Sequence, residues 1–260
     1  MRLLAVLVAC SLVAIASTGG AAAQSEPEDT APVEPTCPVT EAATATTLVA
    51  PPIAARVDGP AGVVALTFDA GADRGYAEDI LDLLDAARIP ATFGMTGQWA
   101  AANPELVERM SAAGHMLINH TLDHRSFTGL SDRLGGLSAV RRQQELQDAD
   151  AIIAPLIGHT TCPWYRLPYG DNDARVPTDA AEIGYTQQVG WTIDTLGWRG
   201  APVQDIVARS LRLAAPNAVY VMHVGIQSRD GPALGSIVEG LEEMGYGFAT
   251  VATLGDPPPE

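Results

Sequence analysis

His120 and His124, in the run His120-Thr121-Leu122-Asp123-His124, stand four residues apart. On a helical turn that spacing aims two imidazoles the same way, which suits a divalent metal of borderline softness. By itself the pattern is weak, because two surface histidines are often four apart. What strengthens it is the company it keeps. Asp69 follows an apolar run, Arg166-Leu167-Pro168-Tyr169-Gly170 follows another, Asp194 lies between Trp191 and Trp198, and His223 closes a run of Val, Tyr and Met. A metal held by two histidines, with a position left open, activates water and polarises a carbonyl oxygen. Cleaving an amide or ester also needs a base for the water and an acid for the leaving group. Asp69 and His223 are the candidates for those two tasks.

The elements around these residues say where they stand. From residue 56 onward, short β-rich runs alternate with amphipathic stretches, the signature of parallel strands covered by helices. Strands are expected at Gly62–Phe68, Ala91–Met95, Met116–Asn119, Tyr165–Leu167, Thr186–Trp191, Ala218–Met222 and Phe248–Val251. Helices are expected at Tyr76–Arg88, from Pro104 to a stop at Gly114, Ser131–Ile157 with a break near Gly135-Gly136, Asp173–Ile183, Val203–Ala215 and Pro232–Met244. About seven strands, and no GxGxxG after the first, favour a closed or nearly closed (β/α) barrel over a dinucleotide-binding sheet. In such a barrel chemistry sits at the C-terminal ends of the strands, and that is where three of the five histidines fall.

Taken together and in order, the motifs resemble those of the polysaccharide deacetylases of carbohydrate esterase family 4, the NodB homology domain. The resemblance covers roughly residues 60–252. It rests on Thr67-Phe68-Asp69, the H-[ST]-x-x-H element His120–His124, the R-x-P-Y element Arg166–Tyr169, the Asp194–Trp198 segment and the strand ending in His223. It implies an α/β fold, a distorted (β/α) barrel of about seven parallel strands in a single domain. It further implies that His120 and His124 hold a divalent metal, zinc, with Asp69 as general base and Arg166 as its ion-pair partner. Tyr169 would offer its backbone N–H to the oxyanion, and His223 would protonate the departing amine. Val221, Trp191, Asp194 and Trp198 would line the acetyl pocket and sugar groove.

Two positions depart from the family pattern. Where a second acid usually follows Asp69, this chain has Ala70; where an acid usually precedes the tryptophan of the fourth motif, it has Gly197. Asp73 or Asp69 itself is available to complete a metal shell, and Asp194 is available near His223. The implied function is a secreted metal-dependent hydrolase removing acetyl groups from N-acetylated polysaccharide, cell-wall peptidoglycan or a chitin-like glycan. The alternatives are a catalytically impaired glycan-binding protein of the same fold, and an esterase acting on O-acetylated xylan or a small molecule.

Composition bounds the rest. The chain has 260 residues and a net charge of −16, and all 15 of its cations are Arg. Such acidity excludes a partner bound through phosphate neutralisation, so no nucleic acid is expected, and lysine chemistry is ruled out. Residues 1–23 read as a signal peptide, with Arg2, an apolar run and Ala21-Ala22-Ala23. An uncleaved anchor and a lipobox at Cys10 are the rivals, although the run is shorter than the ~18–20 residues of a spanning helix. Residues 24–55 read as a Pro/Thr/Ala-rich acidic linker, 56–254 as the deacetylase domain and 255–260 as a Pro-rich tail. The mature protein is expected to be secreted or cell-envelope associated, monomeric and without stable membrane insertion. Signal cleavage removes Cys10 and leaves Cys37 and Cys162, which in an oxidising compartment are expected to pair.

Blander readings stand beside several residues. His115 fits a core or hydrogen-bonding role, His159 a solvated loop, Asp123 a turn and Asp73 a loop cap, and buried tryptophans often only pack.

Overall fold

Eight consecutive buried residues, Val63–Ala70, form the longest strand of the computed structural model, which describes Cys37 and residues 56–255. A strand buried on both faces is what a parallel sheet demands. The elements run β1 (Arg56–Val57), β2 (Val63–Ala70), α1 (Ala77–Ala87), β3 (Thr92–Met95), α2 (Gly97–Ala102), α3 (Pro104–Ala112) and β4 (Met116–Asn119). There follow α4 (Ala139–Ile157), β5 (Trp164–Tyr165), α5 (Val176–Ala181), β6 (Gln187–Gln188), β7 (Ile193–Asp194), α6 (Val203–Leu213), β8 (Val219–His223), α7 (Asp230–Glu243) and β9 (Gly247–Ala249).

Seven strands are parallel, in the order β6-β5-β4-β3-β2-β8-β7. The sheet curls without closing, because among the described residues no pairing joins β6 to β7. The short β9 joins the start of β2 in parallel and pairs antiparallel with β1. The expected distorted barrel of about seven parallel strands is therefore present. Its main apolar cluster lies between the strands and helices α1, α2, α3, α6 and α7. A second cluster, around Phe127, Leu146, Tyr165 and Tyr185, lies under α4 and α5.

Several local expectations change. The helix expected from Ser131 begins only at Ala139, capped by the Ser138 side chain. Arg133 and Gly135 take left-handed conformations that no helix accommodates, so residues 120–138 form a long loop instead. Asp132 and Asp171 pin that loop, accepting from the backbone N–H groups of Ser126 and Ser131 at 2.9 and 3.0 Å. The strands β1 and β7 and the short helix α2 were not foreseen; each is too brief to show a period.

Cys37 and Cys162 form a disulfide, 125 residues apart in sequence, against the second apolar cluster. The expected pairing is thus present. The expected signal peptide and, apart from Cys37, the linker up to residue 55 lie outside the described residues, as does all but the first residue of the tail. Among the described residues, no helix is long and apolar enough to cross a membrane.

Candidate active site

The adjacent strands β2, β3 and β4 end side by side, with Asp69 opposite Gly94 and Met95 opposite Asn119. Asp69 is buried, and its Oδ1 accepts from Nη1 of Arg166 at 2.8 Å. Arg166 itself is only 1% exposed, and the sheet's failure to close explains why it is tolerated there. The chain after β6 leaves its carbonyls unpaired, and Arg166 donates from Nε to Val189 at 3.2 Å and from Nη2 to Gly190 at 3.3 Å. The Trp191 ring lies 5.9 Å from the guanidinium carbon. A planar fork with every face engaged fixes the carboxylate it holds. Burial pushes the Asp69 carboxyl upward, but the charge and hydrogen bond of Arg166, with the charge of His223, outweigh it and hold Asp69 below the ordinary carboxylate range.

His120 follows β4 directly. Its Nδ1 lies 2.9 Å from the Arg166 carbonyl, so Nδ1–H donates and Nε2 keeps its lone pair. That Nε2 faces Asp69 Oδ2 at 3.7 Å. His124 is brought beside it by a different device from the helical turn that the spacing suggests. Thr121 and His124 adopt left-handed conformations, φ 71° and 66°, which fold the segment back on itself. Asn119 Oδ1 accepts from Thr121 N–H at 2.8 Å, and Glu145 Oε2 accepts from Leu122 and Asp123 at 3.1 and 3.3 Å. The two imidazoles meet edge to face with centroids 4.9 Å apart. Burial keeps both below the ordinary histidine range, His124 down to about 4, so both are neutral at pH 7.

Neutral imidazoles, one with its far nitrogen tied to a carbonyl, are the donor set that a divalent metal takes. The 3.7 Å between Nε2 and Oδ2 is too long for a hydrogen bond. Asp69 thus stays with Arg166, and the imidazole nitrogens are left to a metal. The residues therefore fit a metal, though sparsely. Among the described residues, no three His, Cys, Asp or Glu side chains are arranged to hold one. Ala70 is sealed in the main apolar cluster. Asp73 is turned away, with Oδ1 accepting from Ile226 N–H at 2.8 Å.

Tyr169 also adopts a left-handed conformation, φ 60°, in a short 3-10 turn, and its ring packs edge-on to His124 at 4.8 Å. The next residue must be glycine: Gly170 has φ 70°, and a Cβ there would lie 2.7 Å from Trp191. On the far side of β2, β8 ends in His223, opposite Asp69. Asp194, at the end of β7, accepts from Leu196 N–H at 2.8 Å and from Trp198 Nε1 at 3.2 Å. It makes no hydrogen bond to His223, so it does not fill the place of the acid absent at Gly197. The carboxyl group beside His223 belongs to Asp230, the first residue of α7, whose Oδ2 lies 3.6 Å from Nδ1. Burial lowers the His223 pKa, but Asp230, Asp69 and Asp194 outweigh it, so His223 stands above the ordinary histidine value.

A cleft of about 560 Å³ collects Asp69, His120, His124, Tyr169, Asp194, Trp198 and His223, with Arg166 beneath its floor. All eight expected site residues thus come together. Tyr169, Trp191 and Trp198 are 52%, 37% and 51% exposed at the rim, flat faces suited to a sugar. His115 is a core residue, its Nδ1 accepting from Ala91 N–H at 3.2 Å. His159 and Asp123 are exposed. Glu145 and Asp230 were missed in the sequence. Glu145 sits in a mixed-charge helix and Asp230 looks like an ordinary acid at a helix start, so neither carries a signal.

A paired buried carboxylate, two neutral imidazoles and a third, positively biased one at the ends of parallel strands define a hydrolytic site on a curled (β/α) barrel. The model of the polysaccharide deacetylase family matches residues 56–188. The chain is 28% identical over 192 residues to the peptidoglycan-N-acetylmuramic acid deacetylase PdaA of Bacillus subtilis, covering 73% of this chain and 70% of that one. It is 30% identical over 195 residues to a peptidoglycan-N-acetylglucosamine deacetylase of Bacillus cereus, covering 74% and 87%. Among solved structures, the T48 deacetylase with substrate superposes with a TM-score of 0.65 at 31% identity, covering 75% and 90%. The chain belongs to the polysaccharide deacetylase family, hydrolases that are generally metal-dependent.

Proposed function

We propose that this protein is a secreted deacetylase that hydrolyses the N-acetyl groups of a glycan, either peptidoglycan or a chitin-like chain. The observation that carries the reading is the placement of Asp69, locked by Arg166, and His223 in one cleft beside the His120–His124 pair. Relatives named for peptidoglycan N-acetylglucosamine and N-acetylmuramic acid, and for chitooligosaccharides, support the substrate class. The leader-like residues 1–23 and the disulfide support an extracytoplasmic site of action.

A divalent metal on His120 and His124, zinc by the nature of the donors, would polarise the acetyl carbonyl and acidify a water. This chain's residues do the rest. Asp69, held ionised by Arg166, takes a proton from the attacking water as its oxygen bonds to the acetyl carbon. The Tyr169 backbone N–H stabilises the oxyanion. His223, biased toward its protonated form, gives its proton to the amine nitrogen as the C–N bond breaks. Acetate and a free amine leave. Trp191, Trp198 and Asp194 shape the groove for the sugar.

Zinc-loaded protein is expected to release acetate from acetylated peptidoglycan or chitooligosaccharides. The reading falls if no acetylated glycan yields acetate under conditions where a known family member is active. The sparse metal donors favour a second reading, a glycan-binding protein with impaired turnover. Glycan binding unaffected by His223→Ala, without acetate release, would establish it. Acetate released only from O-acetylated xylan or a small ester would instead make the protein an esterase.

A further inference from the structure

We propose that Asp230 is the positioning carboxylate of His223, reaching the proton-donating histidine from helix α7 through the space that Gly197 leaves open. The inference rests on the deacetylase reading for its catalytic consequence, but its structural basis is independent of substrate.

Asp230 is fully buried, which an acid tolerates only when its oxygens are satisfied. Its Oδ1 accepts from the Thr195 hydroxyl at 2.6 Å. Its Oδ2 accepts from the Ser228 hydroxyl at 2.7 Å and from the His223 backbone N–H at 2.9 Å. Two hydroxyls and a backbone N–H thus hold the carboxyl group from three sides. The same Oδ2 lies 3.6 Å from His223 Nδ1, a buried nitrogen that has no hydrogen-bond partner among the described residues. A small rotation of the imidazole converts that approach into a hydrogen bond and leaves Nε2 for the cleft. A carboxylate behind a histidine fixes its tautomer and stabilises its protonated form.

Gly197 is what admits this arrangement. A Cβ built on Gly197 would collide with the Asp230 carboxyl group, with Oδ2 at 2.6 Å and Oδ1 and Cγ closer still. A side chain at 197 and the carboxyl group of Asp230 are therefore alternative occupants of one volume. The other charged groups acting on His223 are Asp69, across from it on β2, and Asp194 on β7. Of the three acids, Asp230 is the one whose oxygen comes within 4 Å of a ring nitrogen of His223, and that nitrogen is Nδ1.

The test compares the wild type, Asp230→Asn and the relocated variant Gly197→Asp/Asp230→Ala. Asp230→Asn is expected to lower kcat about tenfold or more at nearly constant KM. It should also move the alkaline limb of the pH profile toward acid, because an acid catalyst works only below its own pKa. The relocated variant should recover much of kcat and return the limb toward its original position. An unchanged limb and kcat in Asp230→Asn would overturn the proposal, leaving Asp230 a helix-start residue. So would a relocated variant that recovers thermal stability but not rate.

Imidazole ¹⁵N NMR reads the same pair without substrate. Nδ1 of neutral His223 should carry the proton in the wild type and lose that preference in Asp230→Asn; no change between the two overturns the proposal. A wild type that deacetylates nothing would sink the deacetylase reading, and the NMR comparison would still decide the role of Asp230.

Discussion

At Gly197 the absent side chain leaves a volume that Asp230 fills with a buried carboxyl group, whereas at Ala70 the side chain is enclosed in the apolar cluster and, among the described residues, no acid replaces it. The next acid along the chain, Asp73, accepts from Ile226 N–H instead. The two departures from the family pattern therefore have opposite consequences. On the His223 side, the electrostatics of proton donation are rebuilt from another helix. On the His120 side, the metal donors remain sparse. A missing residue type is a missing function only when no neighbour can reach the same point in space.

Asp69 belongs to both halves, so it offers the harshest test of the comparison. Asp69→Asn should cut kcat by about 10²–10⁴-fold, the range of a general base, while zinc content measured alongside stays with His120 and His124. A variant within tenfold of wild type would show that the base lies elsewhere. Parallel loss of zinc would move Asp69 to the metal side of the comparison.

The disulfide provides a contrast away from both positions. Cys37→Ser with Cys162→Ser should lower unfolding stability by about 2–5 kcal/mol, as loss of a bridge closing a long loop does. Urea melts would measure it, and kcat of the folded fraction should be unchanged. A fall in kcat would mean that the second apolar cluster, through Tyr165 and Leu167, transmits strain to Arg166. The smallest effect is expected at the rim. Trp198→Ala should raise KM about threefold to tenfold with little change in kcat, in keeping with the ~0.5–1.5 kcal/mol of an aromatic contact. A fall in kcat instead would implicate the Asp194–Trp198 hydrogen bond in holding the His223 side.

Much of this was legible in the sequence, for physical reasons. Gly62–Phe68 reads as a doubly covered strand because its apolar run is unbroken, and the strand forms over Val63–Ala70 with every residue buried. Met116–Asn119 was placed to the residue, since an apolar run between a glycine stop and a polar turn has little freedom in its ends. The candidate site was legible because strand ends in a parallel fold converge, so residues that follow apolar runs become neighbours. The device that pairs His120 with His124 was not. Two left-handed residues and Glu145, more than twenty positions away, make the turn, and no period announces them.

The sequence by itself determined the strand–helix alternation, the chemical types at the strand ends, the cysteine pair and the two positions lacking an acid. Those are properties of local pattern and composition. Only the tertiary structure decided what the two absences mean. Whether a carboxylate stands behind His223 depends on where α7 begins relative to β7 and β8, and on a glycine thin enough to let an oxygen through. Such distances arise from packing between segments remote in the chain, and local sequence carries no measure of them.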